Sequence, residues 1–248
     1  MDDWTHKTVA ITGGNSGIGR AAAAEFHGRG AEVALFGRDE ETLAQAALEL
    51  PGTLTAAGDI SHGEDLQRWY DEIAQTWTRI DALIVNAGIA RFAPLESMPQ
   101  GDLQAMLDVN ILGSYLTMQK ALPLLRQGSS VVFTTSINAV LGRPGSSGYA
   151  ASKAAQASMV RVFAGELVEK GIRVNGVRSG PVTTPMYDRL GMTATQTQDM
   201  TETIASEVPM RRFGTPGEIA KAIAFLAGPD ASYITAEELT VDGGMSRL

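Results

Sequence analysis

Short apolar runs rich in β-branched residues recur at 8–12, 32–36, 53–57, 82–85, 131–135, 173–177 and 238–241. Between them lie longer stretches whose apolar positions return at helical spacing, over 17–29, 39–50, 62–77, 100–126, 148–170 and 215–227. Runs such as Val131-Val132-Phe133 are apolar at every position, which predicts strands covered on both faces. Such strands, each followed by a helix, build a parallel sheet, because a parallel return needs a crossover that packs on one face. The pattern predicts an α/β fold: a doubly wound parallel sheet of about seven strands with helices on both faces.

Gly and Pro cluster around 142–148 and 180–185, but neither cluster is a long polar linker, so one domain over 1–248 is expected. The segment 182–213 breaks the alternation: it is threonine-rich, with scattered Met and Leu and helical pattern only in patches. An excursion of that length after a strand's C-terminal end reads as a lid over a substrate.

Composition narrows the function. In 248 residues, 44% are hydrophobic and 19% charged, the balance of a folded globular chain. A formal charge of -8 and a pI near 4.9 argue against nucleic acid or an anionic membrane as partner, since both select basic surfaces. Without cysteine there is no disulfide, thiolate nucleophile or thiolate-bound metal, which suits a reducing compartment. His6, His27 and His62 fall in no ligand spacing, so no metal is expected. No stretch approaches the roughly 18 apolar residues of a membrane span, and the opening MDDWTHKTVAITGG lacks the order of a signal peptide. Cytoplasm is the expected location. Trp69 and Trp77, eight apart in one helical stretch, have core spacing.

The first strand runs into Gly13-Gly14-Asn15-Ser16-Gly17-Ile18-Gly19 and then into a helix-favouring run. Glycines there let backbone N–H groups approach a pyrophosphate, and the helix N-terminus adds positive potential. Alone, the spacing is equally that of a simple glycine turn. At the end of the second strand, where a ribose-binding carboxylate would favour NAD, the chain has Gly37 followed by Arg38, which suits the extra phosphate of NADP. The alternative for Arg38 is a solvated surface arginine. Asp39 reads as a helix N-cap, followed by Glu40 and Glu41.

Tyr149 and Lys153 lie four apart on one helical face, and an ammonium beside a phenol favours the phenolate, as general acid–base catalysis requires. By itself Tyr-x-x-x-Lys is common. Ser136, at the C-terminal end of the run 131–135, lies where open α/β sheets hold their ligands and could bind the same substrate oxygen.

These motifs together resemble the short-chain dehydrogenase/reductase family, a Rossmann-type fold, over nearly the whole chain. Thr12-Gly13-x-x-x-Gly17-Ile18-Gly19 is similar to its cofactor loop, Asp59-Ile60 to its adenine contact, and Asn86-Ala87-Gly88 to its sheet-stabilising turn. Asn110, Ser136, Tyr149 and Lys153 match its catalytic tetrad, with Ser136 thirteen positions before Tyr149. Gly180-Pro181-Val182-x-Thr184 resembles its nicotinamide segment, and Val241-Asp242-Gly243-Gly244 its C-terminal signature.

The resemblance implies an oxidoreductase moving hydride between NADP(H) and a ketone, aldehyde or secondary alcohol. In it Tyr149 is the acid–base, Lys153 tunes it and holds the nicotinamide ribose, Ser136 orients the carbonyl, and Asn110 anchors a water-mediated proton relay. It also implies a homotetramer, or a homodimer, built on helices 100–126 and 148–170. An NAD(H)-preferring dehydrogenase and a nucleotide-binding regulator without turnover are the competing readings. Two positions depart from the family: Ser179 replaces the usual proline, which is expected to loosen the nicotinamide turn, and Ala236 replaces the usual glycine before the last strand. The substrate pocket is expected from 89–92, 138–143 and 182–213, with Met186, Tyr187 and Leu190 giving it an apolar character.

Overall fold

The computed structural model describes residues 3–186 and 193–248. Seven parallel strands form one sheet in the order β3-β2-β1-β4-β5-β6-β7. They are β1 (Thr8–Thr12), β2 (Glu32–Gly37), β3 (Leu54–Ala57), β4 (Ile80–Val85), β5 (Leu125–Ser136), β6 (Arg173–Ser179) and β7 (Glu238–Val241). This is the doubly wound sheet that the apolar runs predict. The chain winds outward from β1 to β3, then restarts at β4 beside β1 and winds the other way. Crossovers leaving β1 and β4 therefore part, and a crevice opens at their C-terminal ends.

Alternate strand residues feed two cores, as the period of a strand demands. Val9, Ile11, Val33, Leu35, Ile84 and Val132 face α1 (Gly17–His27), α2 (Glu40–Glu49) and α8 (Pro216–Ala227). Ala10, Ala34, Phe36, Leu83, Val131 and Phe133 face α3 (Gly63–Thr76), α5 (Ser114–Ala121) and α6 (Ser147–Leu167). Trp69 and Trp77 are both in this second core, with Trp69 against Phe36 at 5.1 Å between ring centroids.

Three expectations need correction. The stretch 100–126 is not one helix: α4 (Gln100–Leu107) passes through a π-turn at Asp108–Gly113 into α5, which ends at Ala121. Pro123, lacking an N–H, cannot continue it. β5 starts at Leu125, well before 131, because the exposed Arg126 and Gln127, with Gly128, extend the strand through residues that an apolar-run criterion passes over. Last, residues expected to be helical only in patches form a continuous helix, α7 (Ala194–Glu207). Its start was written in the sequence as a capping box, Thr193 accepting from Gln196 N at 3.2 Å while Gln196 Oε1 accepts from Thr193 N at 2.9 Å.

Ala236 turns the chain into β7 with φ 63°, and its N–H donates to Val174 O at 2.8 Å. The backbone thus keeps a left-handed conformation with a residue whose Cβ opposes it, at a cost of about 1–2 kcal/mol. The side chain is exposed, so removing it forfeits no packing. Ala236→Gly is expected to stabilise the protein by about 0.5–1 kcal/mol, the strain relief being partly offset by the freer unfolded chain, read as a higher urea midpoint at unchanged slope.

Candidate active site

A cavity of about 1050 Å³ lies over the C-terminal ends of the strands. Its first end is built where β1 stops. Gly13 N donates back to Phe36 O at 2.7 Å, and the chain turns so tightly that a Cβ on Gly19 would stand 2.1 Å from Gly13 O. α1 begins at Gly17, and Ser16 at its N-cap makes no side-chain cap bond, so the first-turn N–H groups are left for a ligand in the cavity. Gly13, Asn15, Ser16, Gly17 and Ile18 line it, while Gly19 is buried behind them.

β4 closes this loop from below. Thr12 Oγ1 accepts from Asn86 N at 3.1 Å and Ala87 N at 3.3 Å, and Asn86 Nδ2 donates to Thr12 O and Gly13 O, each at 3.1 Å. Asn86, Ala87 and Gly88 form that part of the cavity wall, and Asp59 and Ile60 another. One Asp59 oxygen is held by Ser61, from its N–H at 2.9 Å and its hydroxyl at 2.7 Å.

The end of β2 leaves little room for a side chain at position 37. A Cβ on Gly37 would lie 2.4 Å from Asn15 Oδ1, and Asn15 is tied down by donating from Nδ2 to Thr42 Oγ1 at 2.7 Å. No carboxylate side chain fits at 37 while Asn15 stays. Arg38 is exposed at the cavity wall, and Asp39 is committed to capping α2, accepting from Thr42 N at 2.8 Å. Helix N–H groups at one point and a guanidinium at another fit the phosphates of an extended dinucleotide.

Across the crevice Pro181, Val182 and Thr184 line the wall, and the space a Gly17 Cβ would need is met by Thr184 Cγ2 at 3.3 Å. Ser179 ends β6 in register with both Ser136 and Val241, and Gly180 N donates to Val241 O at 2.9 Å.

The other end of the cavity gathers Ser136, Tyr149 and Lys153. Thr135 fixes the tip of β5 by donating to Glu238 Oε1 of β7 at 2.7 Å, over Gly176 of β6, and Arg178 pairs with that carboxylate. Asn110, in the π-turn, is fully buried: Oδ1 accepts from Ile89 N at 2.9 Å, and Nδ2 donates to Ile89 O and Ser152 Oγ, each at 2.9 Å. It supports the wall rather than lining the cavity. Lys153 Nζ donates to Thr134 O at 3.0 Å and Gln156 Oε1 at 2.8 Å, and stands 5.8 Å from the centroid of the Tyr149 ring.

Burial dominates the electrostatics here. It pushes the Tyr149 phenol up to about 12, against a hydrogen bond from Ser136, and pushes the Lys153 ammonium down to about 8. Burial and Ser136, and not the Lys153 ammonium that the sequence pointed to, set the phenol's shift in the protein alone. Sequence reasoning missed Ser152 and Gln156, although their spacing with Tyr149 and Lys153 on one face of α6 was legible. It also missed the pairing of Arg143 with Glu207 of α7 at 2.5 Å, which only the fold brings together.

Ile89, Ala90, Arg91, Phe92, Asn138 and Arg143 line the cavity beyond Tyr149, with Met186 and, from α7, Met200 and Ile204. Phe92 meets the Tyr149 ring edge-on at 5.6 Å. Tyr187 and Leu190 lie outside the described residues.

Residues 13–246 match the family model described as enoyl-(acyl carrier protein) reductase. The 3-oxoacyl-(acyl-carrier-protein) reductase FabG of Thermotoga maritima is 35% identical, over 96% of this chain and 97% of its own. The chloroplastic NADPH-dependent aldehyde reductase 1 of Arabidopsis thaliana is also 35% identical, over 96% of this chain and 85% of its own. A crystal structure of a short-chain dehydrogenase/reductase from Brucella melitensis, titled a glucose/ribitol dehydrogenase, superposes with a TM-score of 0.91 at 34% identity, over 98% of each chain. The chain belongs to the short-chain dehydrogenase/reductase family of oxidoreductases.

Asn110→Ala would leave the Ile89 N–H and C=O without their partner inside the protein. The expected loss is about 1–3 kcal/mol of stability, measured by denaturant unfolding.

Proposed function

We propose that the protein is a reversible NADP(H)-linked reductase of ketones or aldehydes, acting in the other direction as a secondary-alcohol dehydrogenase. The observation that carries this reading is one cavity with the glycine loop and Arg38 at one end and Ser136, Tyr149 and Lys153 at the other. When bound, the nicotinamide dinucleotide supplies the hydride. The N–H groups of the loop Gly13 to Gly19 would hold its pyrophosphate, Arg38 its extra phosphate, and Asp59 and Ile60 its adenine. Asn86, Ala87 and Gly88 would support it from below, and Pro181, Val182 and Thr184 would hold the nicotinamide.

Tyr149 gives its proton to the substrate oxygen as negative charge gathers there, and the Ser136 hydroxyl donates to the same oxygen. The Lys153 ammonium stabilises the phenolate left behind and would hold the nicotinamide ribose. Asn110 anchors the water-mediated path by which that proton is replaced. The segment 182–213 serves as a lid; of its described residues, Glu207 pairs with Arg143 of the loop after β5, and Met186, Met200 and Ile204 line the cavity. The names of the relatives, which span acyl-carrier, aldehyde and sugar-alcohol chemistry, support a carbonyl or secondary alcohol as the reacting group. Its partner is a small molecule, with neither nucleic acid nor membrane involved, in the cytoplasm. Subunits associate as a homotetramer or homodimer through α5, α6 and the residues just after each, which expose Tyr115, Leu122, Val162 and Val168.

Purified protein should oxidise NADPH faster than NADH against a panel of ketones and aldehydes. Tyr149→Phe is expected to cut turnover by about 10²–10⁴ while leaving nucleotide binding intact by calorimetry. Faster turnover with NADH would make the protein an NAD(H)-linked dehydrogenase, and tight nucleotide binding with no turnover would favour a regulator of the same fold. Separately, Arg38→Ala should weaken NADPH binding by about 1.5–3 kcal/mol, the worth of hydrogen bonds to a charged group, and leave NADH unaffected.

A further inference from the structure

Tyr149, Ser152, Lys153 and Gln156 recur at helical spacing along α6 and are all buried. Two of them reach the segment in front of α6. Asn110 Nδ2 donates to Ser152 Oγ at 2.9 Å, and Gln156 Nε2 donates to Ser114 Oγ at 2.7 Å. Asn110 and Ser114 are one turn apart, as are Ser152 and Gln156, so the two bonds set the register of α6 against the π-turn and α5.

Gln156 differs from Ser152 in what its other atom does. Its Oε1 accepts from Lys153 Nζ at 2.8 Å, opposite Thr134 O of β5 at 3.0 Å. An ammonium has only donors, so Gln156 must turn its oxygen to Lys153 and its nitrogen to Ser114, which leaves one amide orientation. Two of the three ammonium N–H groups are thereby used inside the protein. A glutamine this deeply buried costs desolvation that an apolar residue at the same place would avoid, so packing alone does not account for it.

We propose that Gln156, braced by Ser114, is a positioning residue for Lys153: it fixes the ammonium between α6 and β5, beside Tyr149. The groups packed around Lys153 are Thr134 of β5, Tyr149 and Gln156 of α6, Asn110 of the π-turn and Gly88, on which a Cβ would lie 3.5 Å from Nζ. Tyr149 is the titratable one among them, and no carboxylate pairs with Lys153 among the described residues. Burial pushes Lys153 down to about 8, and an oxygen acceptor close to Nζ favours the charged form against that burial. The consequence for turnover rests on the reductase reading; the hold on the ammonium does not.

The test is a carbon-13 NMR titration of the full chain labelled at the lysine ε-carbon. Its lysines are Lys7, Lys120, Lys153, Lys170 and Lys221, and Lys153→Met assigns the signal of interest. Gln156→Met is expected to lower the Lys153 midpoint by about one unit, Gln156→Glu to raise it above wild type, and Ser114→Ala to lower it by less. In carbonyl reduction the alkaline limb of kcat/KM should move by the same amounts in the same order, with Tm changes failing to track it. An unmoved Lys153 midpoint in both Gln156→Met and Ser114→Ala overturns the proposal, whatever the activities do. If Gln156→Met does not fold, Ser114→Ala decides alone. If the midpoint moves as expected but the wild type reduces no carbonyl, the positioning role stands and the reductase reading fails.

Discussion

Where β1 and β4 lie side by side, the crossovers that leave them run in opposite directions, and Thr12 and Asn86 hold the two strand ends together. The crevice made by that divergence is the one place where backbone N–H groups can face a ligand without being claimed by the sheet. Thr12 Oγ1 also donates to Ile84 O at 3.4 Å, so a single threonine ties the glycine loop, the strand below it and the turn at Ala87 into one unit. The glycine loop keeps its shape because Asn86 binds its carbonyls from beneath and Gly19 offers no Cβ to push Gly13 away.

The catalytic end rests on a different device, a buried polar network instead of an apolar core. Asn110, Ser114, Ser152 and Gln156 lie behind the cavity wall, with Lys153 reaching it, and they satisfy one another with few atoms to spare. Such a network is costly if any member is missing and rigid when all are present. Rigidity is what a proton donor needs: Tyr149 must meet a substrate oxygen within hydrogen-bond reach, and α6 can place it there only if its register against α5 and β5 is settled. The π-turn at Asp108–Gly113 belongs to the same device, since it presents Asn110 and Ser114 one turn apart to α6.

Burial also sets the electrical character of the site. Taken out of water, a phenol resists losing its proton and an ammonium resists keeping one, and both shifts are present at Tyr149 and Lys153. Hydrogen bonds oppose each: Ser136 to the phenol, Thr134 O and Gln156 to the ammonium. At the far end the balance is steric as well as electrostatic, because Asn15 occupies the place a carboxylate at position 37 would need and Arg38 stands free of Asp39's capping role.

The sheet was legible in the chain because strands buried on both faces must be apolar throughout, and Val131-Val132-Phe133 or Ala34-Leu35-Phe36 can be read in no other architecture as easily. The glycine loop, Ser136, Tyr149 and Lys153 were legible too, since their chemistry requires particular residue types at fixed spacings. Less visible were features whose residues carry no local signal. The π-turn inside 100–126 obeys tertiary packing, and the polar start of β5 is held by neighbouring strands and not by its own side chains. α7 has only a narrow apolar face, so its capping box outweighed its pattern. Lys153's acceptors, Asn110's grip on Ile89 and the Arg143–Glu207 pair join residues far apart in the chain. Local sequence determines which segments become strands and helices, because each must bury its own apolar face. Distances between side chains on different segments are decided by tertiary packing, and on those distances the electrostatics of the site depend.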